Sequence, residues 1–148
     1  MVVHDSEKWP HRMMNVARLI ATWSKDPARK VGCVITNASY HILSTGYNGY
    51  PPKMNDSDLS DKLDKTIHAE LNAILKLPQS PPPLYLFVTA HPCAQCATTI
   101  IQYRDIARVF SPYIALHGSS WGESMELAKT LFEQAGLRQT YMAVYEEE

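Results

Sequence analysis

A continuous apolar run, LYLFVTA at residues 84–90, is the feature that most restricts what this chain can fold into. Such a run fits a central strand, because a strand with one solvated face alternates between polar and apolar residues. A central strand needs a covering layer on each of its faces. The run therefore predicts an α/β fold in which helices cover both sides of a sheet.

The other predicted helices and strands alternate along the chain in the order α-β-β-α-β-α-β-α-β. We expect a single domain over residues 1–148 with a mainly parallel, hence mixed, five-stranded sheet whose first two strands are antiparallel. The polar run at residues 53–65 is predicted to be a mobile surface loop. The predicted helices are 7–23, 67–76, a segment that follows HPC and ends at about residue 103, and 121–136. The predicted strands are 31–36, 41–47, 84–90, 107–113 and 137–144.

Composition and charge exclude several classes of protein. The chain is 45% hydrophobic and 20% charged, as globular proteins are, and no apolar run approaches the roughly 20 residues of a membrane span. The N-terminus has no apolar secretory segment, so we expect a cytoplasmic protein without a membrane partner. Its pI of about 6.6 argues against binding of a long nucleic acid, for which values above about 9 are usual.

The chain has three cysteines, and two of them, Cys93 and Cys96, form the motif PCAQC. If Pro92 and Cys93 open a helix, both thiols project from its first turn, where the helix dipole favours the metal-binding thiolate. Cys33 falls in a predicted core strand and is interpreted as a small buried hydrophobe. A lone CxxC pair fits a redox motif as well as a zinc site.

His68 also lies at a predicted helix start. One imidazole and two thiolates make three protein ligands, which leave one position of a tetrahedral zinc ion open, as in catalytic sites. Glu70 would face the same pocket from the end of the helix and could accept and return a proton. The order H-A-E and then P-C-A-Q-C matches the H-x-E…P-C-x-x-C pattern of zinc nucleobase deaminases.

The chain resembles the deoxycytidylate (dCMP) deaminase family over about residues 23–137, through WSKDPARKVGCVI, STGYNGYP, IHAELNAIL, LYLFVTAHPCAQCATTIIQ and WGESMELAKTLFEQAGL. The resemblance implies a three-layer α/β/α cytidine-deaminase-like fold. It also implies one Zn²⁺ per chain, bound by His68, Cys93 and Cys96, and hydrolysis of dCMP to dUMP and ammonia, which would supply thymidylate synthesis. Glu70 would be the catalytic residue that carries protons to N3 and to the departing amino group.

Residues that would bind the substrate follow from the same resemblance. Asn48 of the GYNG turn would hydrogen-bond the deoxyribose or the base, with a turn-forming role as the alternative. Ser24 and Lys25, and then Arg29, are the candidates for the phosphate in SKDPARK, with a solvated basic loop as the alternative. Tyr113 would line the base or reach the phosphate, or else pack in the core or in a subunit interface.

Three further positions are singled out. Trp121, like Tyr113, would line the base or reach the phosphate, or else pack in the core or in a subunit interface. His91 lies close enough to the zinc loop to line the pocket, but it is not expected to bind the metal. Trp23 stands where many members of the family have an arginine before SKDP, so phosphate recognition would be altered or supplied by another residue.

The resemblance implies partners as well as a reaction. These are a small nucleotide substrate, other copies of the chain in a homo-oligomer (a hexamer rather than a dimer), and dCTP and dTTP as allosteric effectors near GYNGYP. Several members carry an accessory structural zinc in the loop before the histidine. Residues 50–67 contain no cysteine or histidine, which predicts a single zinc.

Other functions fit parts of the pattern. A deaminase of this type could act on dCTP, a modified dCMP, a nucleoside or an adenosine in tRNA, although the net charge of −1 disfavours tRNA. A non-catalytic zinc-stabilised module that binds a nucleotide or a partner would not need Glu70. A redox protein that uses Cys93 and Cys96 would leave both His68 and Glu70 unexplained.

Overall fold

In a computed structural model of the protein, residues 8–113 and 120–143 are described, Ser120 by its backbone alone. The predicted start of the first helix at residue 7 and the predicted end of the last strand at residue 144 lie outside these residues. The elements are α1 (Lys8–Ala21), β1 (Gly32–Asn37), β2 (Ile42–Tyr47), α2 (Lys62–Lys65), α3 (Ala69–Leu75), β3 (Leu84–Val88), α4 (Ala94–Gln102), β4 (Ile106–Pro112), α5 (Ser120–Ala135) and β5 (Arg138–Met142).

The strands form one five-stranded sheet in the order β2-β1-β3-β4-β5. The predicted antiparallel hairpin of β1 and β2 is confirmed, and the β3–β4 and β4–β5 pairs are parallel. The prediction of a mainly parallel sheet is wrong at one pair, because β1 is also antiparallel to β3. The reason is that the connection from β2 through α3 passes over β1 and brings β3 to its other edge.

Helices cover both faces of the sheet, as the apolar run at residues 84–90 predicts. On one face, α1 packs its Met14 against Val34 of β1 and against Phe87 of β3. On the other face, α3, α4 and α5 contribute to one core cluster that also contains Cys33, which is fully buried as interpreted. The three-layer α/β/α arrangement is confirmed, and no helix among the described residues is long and apolar enough to cross a bilayer.

The polar segment predicted as a mobile loop contains the short helix α2, which corrects that prediction. Two ion pairs tie this segment to the loop after α1: Lys62 Nζ lies 2.8 Å from Asp26, and Lys25 Nζ lies 2.9 Å from Asp56. The backbone of Ile67 pairs with that of Gly49 directly after α2. These contacts link residues far apart in sequence, so no local pattern predicts them.

α3 approaches β2 closely at Gly46. A Cβ added to Gly46 would lie 2.5 Å from the carbonyl oxygen of Ala69 and 2.5 Å from the backbone nitrogen of Ala73. Both atoms belong to the backbone of α3 and cannot rotate away. The missing side chain therefore sets the distance between α3 and the sheet, and with it the position of the first turn of α3.

We expect Gly46→Ala to lower the free energy of unfolding by about 1–3 kcal/mol and to weaken metal binding at the start of α3, because the added methyl group forces the helix away from β2. Gly49→Ala is the matched control, since a Cβ there meets only a side-chain atom of Tyr47 at 4.0 Å. Urea unfolding and zinc content of both variants check the prediction. Equal stabilities of the two variants would contradict it.

Candidate active site

The helices α3 and α4 begin beside each other at one end of the sheet. His68 is the N-cap residue of α3 and Cys93 that of α4, while Cys96 lies in the first turn of α4. Neither N-cap side chain makes a capping hydrogen bond. Nδ1 of His68 lies 3.2 Å from Sγ of Cys96 and 3.6 Å from Sγ of Cys93. The structure thus brings the three predicted ligands together.

These three side chains fit a zinc ion. Their candidate ligand atoms all lie within 4.8 Å of one another. Donors that share a tetrahedral zinc ion, at about 2.3 Å for sulfur and 2.0 Å for nitrogen, lie roughly 3.5 Å apart. Imidazole and thiolate are donors that zinc prefers, and three protein ligands leave a position for chemistry. In the described part of the chain, no second cluster of this kind occurs.

The two thiols are electrostatically unequal. The hydrogen bond from Cys96 lowers the pKa of Cys93 to about 4, whereas the same bond and then burial raise the pKa of Cys96. The hydrogen bond to Cys93 also raises the pKa of His68, although burial opposes this. The lowered pKa of Cys93 favours its thiolate, which is the form that binds a metal.

Glu70 lies in the first turn of α3 and is only 5% exposed. It is not a solvated surface residue, because its side chain lines the same cavity as His68 and Cys93. Burial is the main cause that raises the pKa of its carboxyl group. A buried carboxyl beside the metal ligands is placed to exchange protons with a molecule in the cavity.

A cavity of about 390 Å³ opens over these groups. Its buried part includes Asn48, Glu70, His91 and Cys93. The more exposed part carries charged and apolar side chains from the loop after α1, from α2 and from the start of α5: Asp26, Ala28, Arg29, Lys62, Leu63 and Trp121. The cavity can therefore hold a ligand with an uncharged end at the metal ligands and a charged end at the mouth.

Asn48 lines the cavity and organises its wall. Its Oδ1 accepts a hydrogen bond from the backbone of Val31, and its Nδ2 donates one to the carbonyl of Arg29, both at 2.8 Å. Both bonds reach residues that precede β1, 17 and 19 positions away, so the side chain of Asn48 holds this loop rather than its own turn. Because an amide has two donor hydrogens and two acceptor lone pairs, one of each remains for a ligand.

The remaining predicted substrate residues divide into two groups. Only Arg29 lines the cavity, and its guanidinium lies 5.4 Å from the ring centroid of Trp121. Ser24 is buried and donates a hydrogen bond to the carbonyl of Asn48, while Lys25 is exposed and paired with Asp56. Tyr113 is 65% exposed and packs edge-on against Tyr141. Ser24, Lys25 and Tyr113 are thus not among the residues that line the cavity.

His91 lines the cavity, as expected, without joining the metal ligands. Its Nδ1 lies 2.9 Å from the carbonyl oxygen of Pro92, and its Nε2 lies 2.7 Å from Nε2 of Gln139. These contacts are satisfied when Nδ1 carries the proton and the Gln139 amide donates to Nε2. Burial lowers the pKa of His91, so a neutral imidazole forms this wall.

Two charged residues of the cavity were missed by the sequence analysis. Asp26 is part of SKDP but carried no predicted role, and Lys62 lay in the segment interpreted as a surface loop. Trp121, for which two alternatives were left open, lines the cavity with its ring 6.3 Å from that of His68. No sequence signal marks Lys62, because its placement depends on the ion pair with Asp26.

Comparison of the sequence with known proteins finds a matching family model and similar deaminases. Residues 7–111 match the family model described as the cytidine and deoxycytidylate deaminase zinc-binding region. The chain is 36% identical to the deoxycytidylate deaminase of Homo sapiens over 144 residues, which cover 90% of this chain and 79% of the human one. It is 39% identical to an uncharacterised deaminase encoded in the luxG 3′ region of Aliivibrio fischeri, over 91% and 94% of the two chains.

Structural comparison gives the same fold. The dCMP deaminase of the cyanophage S-TIM5, solved in complex with dCMP and dUMP, superposes with a TM-score of 0.73. The match covers 95% of this chain and 100% of the phage chain, at 23% sequence identity. At that identity the superposition establishes the fold.

Proposed function

Because this chain belongs to the cytidine and deoxycytidylate deaminase family, a family of zinc enzymes, we propose that it hydrolyses dCMP to dUMP and ammonia. One observation carries the proposal: Glu70 lines the same cavity as His68 and Cys93, and Sγ of Cys96 lies 3.2 Å from Nδ1 of His68. The deoxycytidylate deaminases to which the chain is similar supply the identity of the substrate. The product dUMP is the precursor that thymidylate synthesis uses.

The protein residues have distinct parts in this reaction. His68, Cys93 and Cys96 hold the zinc ion, which when bound supplies Lewis acidity that lowers the pKa of a water molecule. Glu70 accepts a proton from the attacking water and delivers protons to N3 and to the departing amino group. A C4–O bond forms and the C4–N4 bond breaks, so that cytosine and water become uracil and ammonia.

Arg29 would bind the phosphate of dCMP. Its guanidinium is exposed at the cavity, lies over the ring of Trp121, and has no carboxylate partner among the residues that the structure describes. Asn48 would hydrogen-bond the deoxyribose with its free donor and acceptor. Ser24 would act indirectly by holding the backbone of Asn48, and Lys25 would have to leave Asp56 to reach a ligand.

Trp23, which stands where many members of the family have an arginine, packs edge-on against Tyr47 at 6.4 Å and is 53% exposed. It is absent from the lining of the cavity, so we propose that the change affects the outer surface rather than phosphate binding. Tyr113 packs against Tyr141 and is also absent from the lining, so we propose that it does not touch the substrate.

Assembly and regulation are also proposals. From the resemblance to the deoxycytidylate deaminase family we propose a homo-oligomer, a hexamer rather than a dimer. Exposed apolar side chains are available for its interfaces; they include Leu19, Trp23, Tyr47 and Leu75. The GYNGYP turn would receive dCTP or dTTP. We place the protein in the cytoplasm, because Cys93 and Cys96 have to stay reduced to bind zinc.

A substrate panel tests the proposed reaction. Zinc-loaded protein is offered dCMP, dCTP, deoxycytidine, CMP and dAMP, and ammonia release is followed for each. We expect the highest kcat/KM with dCMP. Preference for dCTP or deoxycytidine would contradict the assigned substrate while keeping the chemistry, and no release from any of them at full zinc occupancy would contradict the reaction itself.

A further inference from the structure

Lys62 opens α2 and faces the cavity. It lines the cavity together with Arg29 and Trp121, and its side chain is 26% exposed. Lys65 of the same helix is oriented differently: its ammonium donates to the carbonyl of Asp58 and lies 4.8 Å from the ring centroid of Tyr50. The two lysines carry the same charge on the same helix, and only Lys62 lines the cavity.

Asp26 holds the ammonium of Lys62 in place. Its Oδ1 lies 2.8 Å from Nζ, and the same oxygen accepts hydrogen bonds from the backbone of Ala28 and of Arg29 at 2.8 and 3.0 Å. Although burial acts to raise it, the pKa of Asp26 lies below its ordinary value, because Lys62 and the two amides stabilise the anion. Lys62 is therefore held by a fixed, ionised partner.

The ion pair leaves Lys62 able to bind a further anion. An ammonium group has three N–H donors, and within the described residues Asp26 is its only ion-pair partner. The exposed part of the cavity carries two cations, Arg29 and Lys62, against the single carboxylate of Asp26. A net positive charge thus faces any ligand that reaches the buried metal ligands.

We propose that Lys62 determines substrate specificity by binding the 5′-phosphate of the nucleotide, as a second cation in addition to Arg29. The inference rests on the proposed function, since it names a further residue of the same site. A phosphate group would gain charge-assisted hydrogen bonds from the free N–H donors of Lys62. A nucleoside without phosphate would leave the pair of Lys62 and Asp26 as it is.

Steady-state kinetics on dCMP and deoxycytidine test this assignment in the wild type and in two variants. Lys62→Met keeps an apolar stem and removes the ammonium, and Lys65→Met does the same on the side of α2 away from the cavity. We expect Lys62→Met to lower kcat/KM for dCMP about 10- to 100-fold, mainly through KM, as loss of a hydrogen bond to a charged group does. We expect the kcat/KM of Lys62→Met for deoxycytidine to stay within about twofold of wild type. The kcat/KM of Lys65→Met should stay within the same range for both dCMP and deoxycytidine.

Two kinetic outcomes would overturn the inference. One is an equal kcat/KM for dCMP in Lys62→Met and Lys65→Met. The other is a loss in Lys62→Met that is as large for deoxycytidine as for dCMP, because that pattern would give Lys62 a purely structural role.

Calorimetric titration of dUMP separates this inference from the proposed reaction. We expect the Kd for dUMP to weaken by the same factor in Lys62→Met only. A zinc-loaded wild type that binds dUMP through Lys62 but releases no ammonia from dCMP would refute the reaction and support the inference. A wild type that neither binds dUMP nor turns over dCMP would overturn both.

Discussion

Glu70→Gln is expected to lower kcat about 10³-fold or more while the protein keeps its fold and its zinc. Glutamine has nearly the shape of glutamate, but its amide cannot accept a proton from water and pass it on. General acid–base groups contribute about 10²- to 10⁴-fold. A large effect is expected because Glu70 would serve several proton transfers in one reaction.

The measurement is kcat for dCMP together with zinc content and melting temperature of the same samples. Glu133→Gln is the matched control, because Glu133 lies exposed on α5 and does not line the cavity. We expect the control to match wild type in all three quantities. Near-normal kcat in Glu70→Gln would refute the assignment of the base, and loss of zinc would show that Glu70 supports the metal instead.

Cys96→Ala is expected to abolish both zinc binding and ammonia release. It removes one of three ligands that the structure brings together, and a fully buried alanine cannot replace the sulfur. Substitution of residues that only support metal ligands costs roughly 10- to 100-fold in affinity or activity, so loss of a ligand is expected to cost more. Metal analysis after gel filtration, together with the rate of ammonia release, measures the effect.

Cys33→Ala is the control for this variant. Cys33 is fully buried in the core beside α3 and is not part of the ligand cluster. We expect it to keep zinc and activity, with at most a small loss of stability from the lost sulfur. Full zinc content in Cys96→Ala would contradict the metal site. Reversible dithiol oxidation of the wild type without bound metal would favour the redox interpretation.

Much of the fold was predictable because its signals are local. The run at residues 84–90 predicts a covered central strand, and the structure places β3 (Leu84–Val88) between β1 and β4. The hairpin of β1 and β2 follows from two short strands around a turn. The antiparallel pairing of β1 with β3 was not predicted, because the sequences of β1 and β2 do not show to which edge of their hairpin a later strand adds.

Residues of the SKDPARK loop were harder to rank. Sequence favoured Ser24 and Lys25 over Arg29 for the phosphate, yet of these three only Arg29 lines the cavity. In irregular backbone no periodicity gives the direction of a side chain. The direction here follows from two hydrogen bonds that Asp26 accepts from the backbone.

The amino-acid sequence alone determined the chemistry of the site. Its reacting groups occur in two short motifs at helix starts, where the first turn necessarily brings neighbouring side chains to one end of the helix. Tertiary structure alone decided which cations line the cavity. Lys62 reaches the cavity through an ion pair with Asp26, a residue distant in sequence, and such a contact exists only after the chain has folded.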